Sequence, residues 1–133
     1  MLCRMGRKLA ELSVQTSGDP ILMCWRDDIV ARRTAGCYPV TQGIVFALGG
    51  LDARSLFAAQ QYGVMTTTLN AALRCLRVTH FDTQRIIARL ARLVEELYEQ
   101  VHEMSVDEIY SFAPVLDVLA SLHEQGSARM FMN

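Results

Sequence analysis

Between Asp82 and Met104 the apolar residues Ile86, Ile87, Leu90, Leu93, Val94, Leu97, Tyr98, Val101 and Met104 recur at steps of three and four, which places them on one face of a helix. Arg85, Arg89, Arg92, Glu95, Glu96 and Glu99 fill the other side, with Arg92 spaced to reach Glu95 and Glu96, and Asp82 is a candidate N-cap. The spacing predicts an amphipathic helix of about six turns.

The segment before it, from Asp52 to about Arg77, has a different pattern. It also opens on a capping aspartate, but no residue between Arg54 and Arg74 is charged, and its apolar and small residues spread around the whole helix. That distribution predicts the central, most buried helix, with Ala58, Ala59, Gly63, Ala71 and Ala72 letting neighbours approach closely. Gln60, Gln61, Thr66, Thr67, Thr68 and Asn70 make it a poor candidate for a lone bilayer span.

Pro39 to Leu48 reads as a short helix with proline at its first position and Gly49-Gly50 as its stop; a continuous apolar run of this length also fits a buried strand, and the proline and glycines favour helix. Upstream, Leu2 to about Val14 and Met23 to about Arg33 are helical stretches separated by the breaker Thr16-Ser17-Gly18-Asp19-Pro20. Downstream, Ser105 and Glu108 have capping-box spacing, so a helix is expected to begin just after Met104. Pro114 ends or kinks it, and a last helix from Pro114 to about Glu124 leads into an apolar tail. The pattern as a whole predicts an all-α fold, a single bundle of about six or seven helices over residues 1–124, followed by a docking tail at 125–133.

Composition narrows the function. Apolar residues make up 51% of the 133 residues, and 13 basic against 14 acidic side chains leave a formal charge of −1, which does not suggest a phosphate-tracking surface or a nucleic-acid partner. Lys8 is the sole lysine among the basic residues. The arginine excess suits bidentate pairing with carboxylates at interfaces, although GC-rich coding would produce the same bias.

Cys3, Cys24, Cys37 and Cys75 show no Cys-x-x-Cys and no even spacing, and with His80, His102 and His123 none shares the i, i+4 spacing of a helical metal site. Ordinary core or surface duty is expected for each, with no metal site and no cofactor, in a reduced, cytoplasmic compartment. The basic amino terminus lacks the apolar run and cleavage site of a signal peptide. No nucleophile elbow, phosphate loop, His-Glu-x-x-His or paired-carboxylate motif is visible, and Asp107-Glu108 sit where a helix dipole favours negative charge.

Three stretches resemble one family. Gly36-Cys37-Tyr38-Pro39-Val40-Thr41-Gln42-Gly43 is similar to the Gly-His-Tyr-Pro-Val-x-x-Gly pattern of UreF urease accessory proteins. Ser111-Phe112-Ala113-Pro114-Val115-Leu116-Asp117-Val118 resembles that family's Ser-Phe-x-Pro-x-Leu-Asp-Ile, and His123-Glu124 with Ser127-Ala128-Arg129-Met130-Phe131 resembles its His-Glu, spacer, Arg-Leu-Phe ending. Arg4-Met5-Gly6 is similar to an Arg-Met-Gly near the middle of the family's chain, and Asp82 begins a helix where the family has an aspartate-capped one. Cys37 departs from the pattern by standing where histidine is usual. The family's amino-terminal half, with its Ser-Phe-x-x-Ser-x-Gly-Leu-Glu-like stretch, has no counterpart here, so a fragment or truncated product is expected.

The resemblance implies a non-catalytic, dimeric helical scaffold that binds UreD (UreH), recruits the GTPase UreG and docks on apo-urease for nickel insertion, with its carboxy-terminal tail ordering against partners. On that basis Arg129, Met130, Phe131, His123 and Glu124 are the expected partner-binding residues, Arg129 foremost as a planar donor able to clamp a carboxylate or carbonyl. Tyr38, Pro39, Gly43, Pro114 and Asp117 are expected to be structural. Two other readings compete: a free-standing helical interaction module unrelated to urease, dimerising through the apolar tail, and a cysteine-dependent enzyme using Cys24, Cys37 or Cys75 beside a histidine.

Overall fold

In the computed structural model, residues 2–108 and 113–125 are described, with side chains as far as residue 122. The described chain is helical throughout, without a β-strand: α1 (Leu2–Ser17), α2 (Pro20–Val30), α3 (Tyr38–Leu48), α4 (Ala53–Cys75), α5 (His80–Leu90), α6 (Val94–Val101) and α7 (Pro114–Gln125), with 3-10 turns at Ala91–Leu93 and Val106–Glu108. The run at 38–48 is therefore helix rather than buried strand. Two compact units divide after Gln100.

The helix ends follow local chemistry. Gly18, at φ +65°, closes α1 by returning its N–H to the Val14 carbonyl at 2.9 Å. Asp19 then caps α2, accepting the Ile21 N–H at 2.8 Å with Pro20 at the first helical position. The breaker at 16–20 thus doubles as a helix start, and α2 begins three residues before the apolar pattern predicts and ends at Val30. At its far end Arg32 takes φ +59°, an uncommon conformation for a residue with a side chain, while the Arg33 N–H bonds the Asp28 carbonyl at 2.9 Å and the Arg33 guanidinium holds the Asp28 carboxylate.

The α3 stop is a Schellman motif: Gly50, at φ +73°, donates to Ala47 and Leu51 donates to Phe46, each at 3.0 Å. Cys37 is the N-cap of α3, so Tyr38 holds the first helical position and Pro39 the second, one later than expected. Asp52 caps α4 as expected, accepting from Ser55 N–H at 2.8 Å.

The long amphipathic helix is built differently from its expected form. Thr79, not Asp82, is the N-cap; its hydroxyl accepts the Asp82 N–H at 3.2 Å while Asp82 accepts the Thr79 N–H at 3.0 Å, a reciprocal capping box that moves the start to His80. The helix tightens to a 3-10 turn at Ala91–Leu93 and ends at Val101 rather than Met104, although Leu90, Ala91 and Val94 keep right-handed helical dihedrals. After Met104 the described residues form the 3-10 turn Val106–Glu108, in which Glu108 accepts the Ser105 N–H at 2.7 Å, half of the expected capping box, and residues 109–112 of the expected helix lie outside the described residues.

Packing centres on α1. Its buried residues Gly6, Ala10 and Ser13 form a seam of small side chains at steps of four and three, which lets α2 and α3 pack close. Ala10, Leu22 and Ile29 are buried there, and Ile87 in α5 is buried as well.

The expectation for α4 is corrected. It contributes no buried residue, and Tyr62 and Val64 are 56% and 52% exposed. A helix of 23 residues, about 34 Å long, is not enclosed by the α3, α5 and α6 contacts that the described residues supply, so a pattern that signals cover on all sides is met there by partial cover.

Candidate functional site

The most constrained part of the first unit is the junction of α1 with the turn leading into α3. A Cβ on Gly6 would lie 2.1 Å from the Gly36 carbonyl oxygen and 2.7 Å from both the Cys37 carbonyl carbon and the Tyr38 nitrogen. Only glycine lets the turn lie directly on α1. Gly36 is constrained twice over: its φ of +63° favours glycine, and a Cβ there would meet Ile29 side-chain atoms at 2.7 Å.

The turn is fixed from below as well. Thr41 is fully buried; its hydroxyl accepts the Trp25 indole N–H at 3.0 Å and donates to the Cys37 carbonyl at 3.3 Å. One hydroxyl thereby ties α2 and α3 to the turn. Cys37 makes no side-chain cap bond, and its Sγ lies 3.4 Å from the Sγ of Cys3, one turn before Gly6 on α1. That thiol contact, then desolvation and charge repulsion from Cys3, raises the Cys37 pKa above the ordinary thiol value.

Beside the junction a groove of about 290 Å³ opens between α1 and α4, lined by Leu2, Met5, Tyr38, Gln60, Val64 and Thr67 among others. Among the described residues its walls carry no charged side chain. At the other end of α4, Arg54 bridges to Glu95 and to Glu99 at 2.6 Å, and lies 4.8 Å over the Tyr98 ring, which in turn packs edge-on against Phe57 at 5.6 Å. Glu95 is thus paired with Arg54 across the helices, although its spacing also puts it within reach of Arg92.

The expected structural residues fall at defined places. Tyr38 and Pro39 open α3, and Gly43 faces Leu56, where an added Cβ would sit at an ordinary 3.8 Å. Pro114 opens α7; Asp117 is exposed in its first turn, and its backbone carbonyl accepts the Ser121 hydroxyl at 2.9 Å. His123 and Glu124 lie in the last turn of α7, with side chains outside the described residues, as Arg129, Met130 and Phe131 are entirely.

What the structure brings together are Arg4-Met5-Gly6 and Gly36-Cys37-Tyr38-Pro39, two motifs distant in sequence. Cys3, Trp25, Thr41 and Arg54 are the residues that sequence reasoning missed. A glycine inside an amphipathic helix signals close backbone approach, so Gly6 was the available clue. Among the described residues no three His, Cys, Asp or Glu side chains gather as a metal site requires, and no helix is long and apolar enough to cross a membrane.

The UreF family model matches residues 1–91, which include the whole junction. The chain belongs to the UreF family. Urease accessory protein UreF 1 of Brucella melitensis and UreF 2 of Brucella canis are each 44% identical to it over 133 residues, covering all of this chain and 55% of the relative. UreF of Yersinia enterocolitica is 41% identical over 133 residues, again all of this chain and 58% of the relative. The chain therefore spans little more than half the length of these UreF relatives. No solved structure matches it.

Proposed function

We propose that this UreF chain serves urease maturation as a non-catalytic helical scaffold. It joins UreD (UreH) and the GTPase UreG into a complex that docks on apo-urease while nickel, the cargo, is inserted. The observation that carries this reading is the identity of 41–44% to urease accessory proteins along all 133 residues. The geometry agrees with a scaffold. The tightest side-chain constraints serve backbone approach at Gly6 and Gly36, and the groove beside them is open and uncharged, as suits a docking surface rather than a reaction site.

On this reading the protein works in the cytoplasm, as a homodimer, without cofactor, nucleic acid or membrane. Arg129 with Met130 and Phe131 docks the partner, assisted by His123 or Glu124; adjacent helical residues point in different directions, so one of these two faces any given groove. Tyr38, Pro39, Gly43, Pro114 and Asp117 keep structural roles.

The test is co-purification of the chain with its cognate UreD, with and without UreG, followed by urease activation. Retention of both partners is the expected result. A stable, folded chain that retains neither overturns the scaffold reading for this chain.

A further inference from the structure

We propose that Cys3 and Cys37 are a redox modification site, closing to a reversible intramolecular disulfide that staples the start of α1 to the start of α3. Their sulfurs lie 3.4 Å apart although 34 residues separate them in sequence. The elements that carry them are fixed independently of the thiols: the turn lies on α1 through the Gly6–Gly36 contact, and Thr41 anchors it to α2. The pairing is thus a consequence of the fold, and closure requires the sulfurs to approach from 3.4 Å to bonding distance.

The two thiols have different access. Cys3 is exposed and Cys37 half-buried, so Cys3 meets a soluble peroxide first and Cys37 resolves the product. The Cys3 thiolate attacks one peroxide oxygen, the O–O bond breaks, and hydroxide leaves to become water, giving a sulfenic acid. The Cys37 sulfur then attacks the Cys3 sulfur; the S–S bond forms, the S–O bond breaks, and the departing hydroxide takes the Cys37 proton as a second water. Two thiols and one hydrogen peroxide give one disulfide and two waters, and a cellular dithiol reverses the change by exchange. The raised pKa of Cys37 fits its role as the second thiol to react.

The full chain, treated with limiting hydrogen peroxide, should lose two of its four free thiols without forming a covalent dimer. Trypsin cuts after Arg4 and Arg33, so the closed form should yield the peptide ending at Arg4 linked to the one beginning at Thr34, two hydrogens lighter than their sum. Loss of the half-buried Cys37 should run about tenfold faster in the wild type than in C3S, because its attack on the Cys3 sulfenic acid is intramolecular and needs no second peroxide. C37S should abolish the link and leave a Cys3 sulfenic acid that dimedone traps, C3S should abolish the link as well, and C75S should leave it intact. Equal loss of Cys37 in the wild type and C3S, a link involving Cys24 or Cys75, only intermolecular dimers, or peroxide that leaves the two peptides separate would each overturn the proposal. If C37S does not fold, the exposed C3S variant and the wild-type peptide map still decide it.

Discussion

The Gly36 carbonyl oxygen occupies the place a side chain on residue 6 would need, 2.1 Å from where a Cβ would stand. The obstacle is backbone, which cannot rotate away as the end of a flexible side chain can. Gly6→Ala should therefore destabilise the chain by about 3 kcal/mol or more, beyond the usual range for overpacking by a methyl. Gly43→Ala is the control: its Cβ would meet Leu56 at 3.8 Å, and a helix-interior glycine replaced by alanine should gain a few tenths to about 1 kcal/mol. Urea denaturation of the two variants measures the contrast.

A second prediction rests on the buried Thr41 hydroxyl. Thr41→Val keeps the shape but leaves the Trp25 indole N–H and the Cys37 carbonyl without that partner, at a cost of about 1–3 kcal/mol. Thr41→Ser, which retains the hydroxyl, should recover most of the loss. The tryptophan emission of the valine variant should shift as Trp25, the chain's single tryptophan, loses its bond.

The acid limb of stability should carry the signature of two helix caps. Hydrogen bonds from the Ser55 side chain and N–H lower the Asp52 pKa, and hydrogen bonds from the Thr79 hydroxyl and N–H lower that of Asp82. A carboxylate depressed in the folded state contributes stability that is complete above its unfolded value of about 3.9 and is lost as pH falls through the folded value. Stability should thus drop below about pH 4 from these groups, with no contribution to the slope near neutrality. Chemical denaturation midpoints measured from neutral to acid pH should show Asp82→Asn least different from wild type at the acid end, where both lack the charge.

Much of this architecture was legible in the sequence because it rests on local chemistry. Asp52, the Gly49-Gly50 stop and Pro114 mark helix ends that the structure keeps. The start of α2 was misplaced because Asp19-Pro20 serves both as a break and as a cap with proline at the first position, and a breaker reading sees only the first. The start of α5 was misplaced because threonine and aspartate share the capping box, and Asp82 at its third position looks like the cap itself. The junction was not legible: that Gly6 meets Gly36, or Cys3 meets Cys37, depends on how α1 lies across α3, which no local pattern encodes. The burial expected of α4 failed for a related reason, since an uncharged helix records that cover is needed without recording which residues supply it.

That uncovered surface leads to a fourth prediction. Tyr62 and the groove-lining Gly63, Val64, Thr67 and Thr68 form an exposed stretch without charge. The 133-residue chain should self-associate as its concentration rises, and Val64→Lys should suppress this while changing stability by no more than about 0.5 kcal/mol. Sedimentation velocity across a wide concentration range separates the outcomes: a monomer with a concentration-independent coefficient would show that the α4 surface does not drive association.

The last prediction concerns Arg129, on which the proposed partner contact depends. Arg129→Ala should leave helical content and thermal stability nearly unchanged, within about 0.5 kcal/mol, because the sequence pattern puts Arg129 in the tail after the last helix and substitutions in such tails seldom do more. Recruitment should suffer. A guanidinium that makes a charge-assisted, desolvated contact in the assembled complex is worth about 2 kcal/mol or more, seen mostly as faster dissociation, whereas the exposed Arg92, in the turn between α5 and α6, should be replaceable by alanine at almost no cost. The comparison belongs in a chain extended to the full length of the relatives, so that any contact Arg129 makes with the part this chain does not span is kept. Surface plasmon resonance against UreD, then UreG, gives the dissociation rates, and urease activation gives the consequence. Equal binding and equal activation by wild type and Arg129→Ala would assign Arg129 to solvent and move the search for the docking surface to the uncharged groove between α1 and α4.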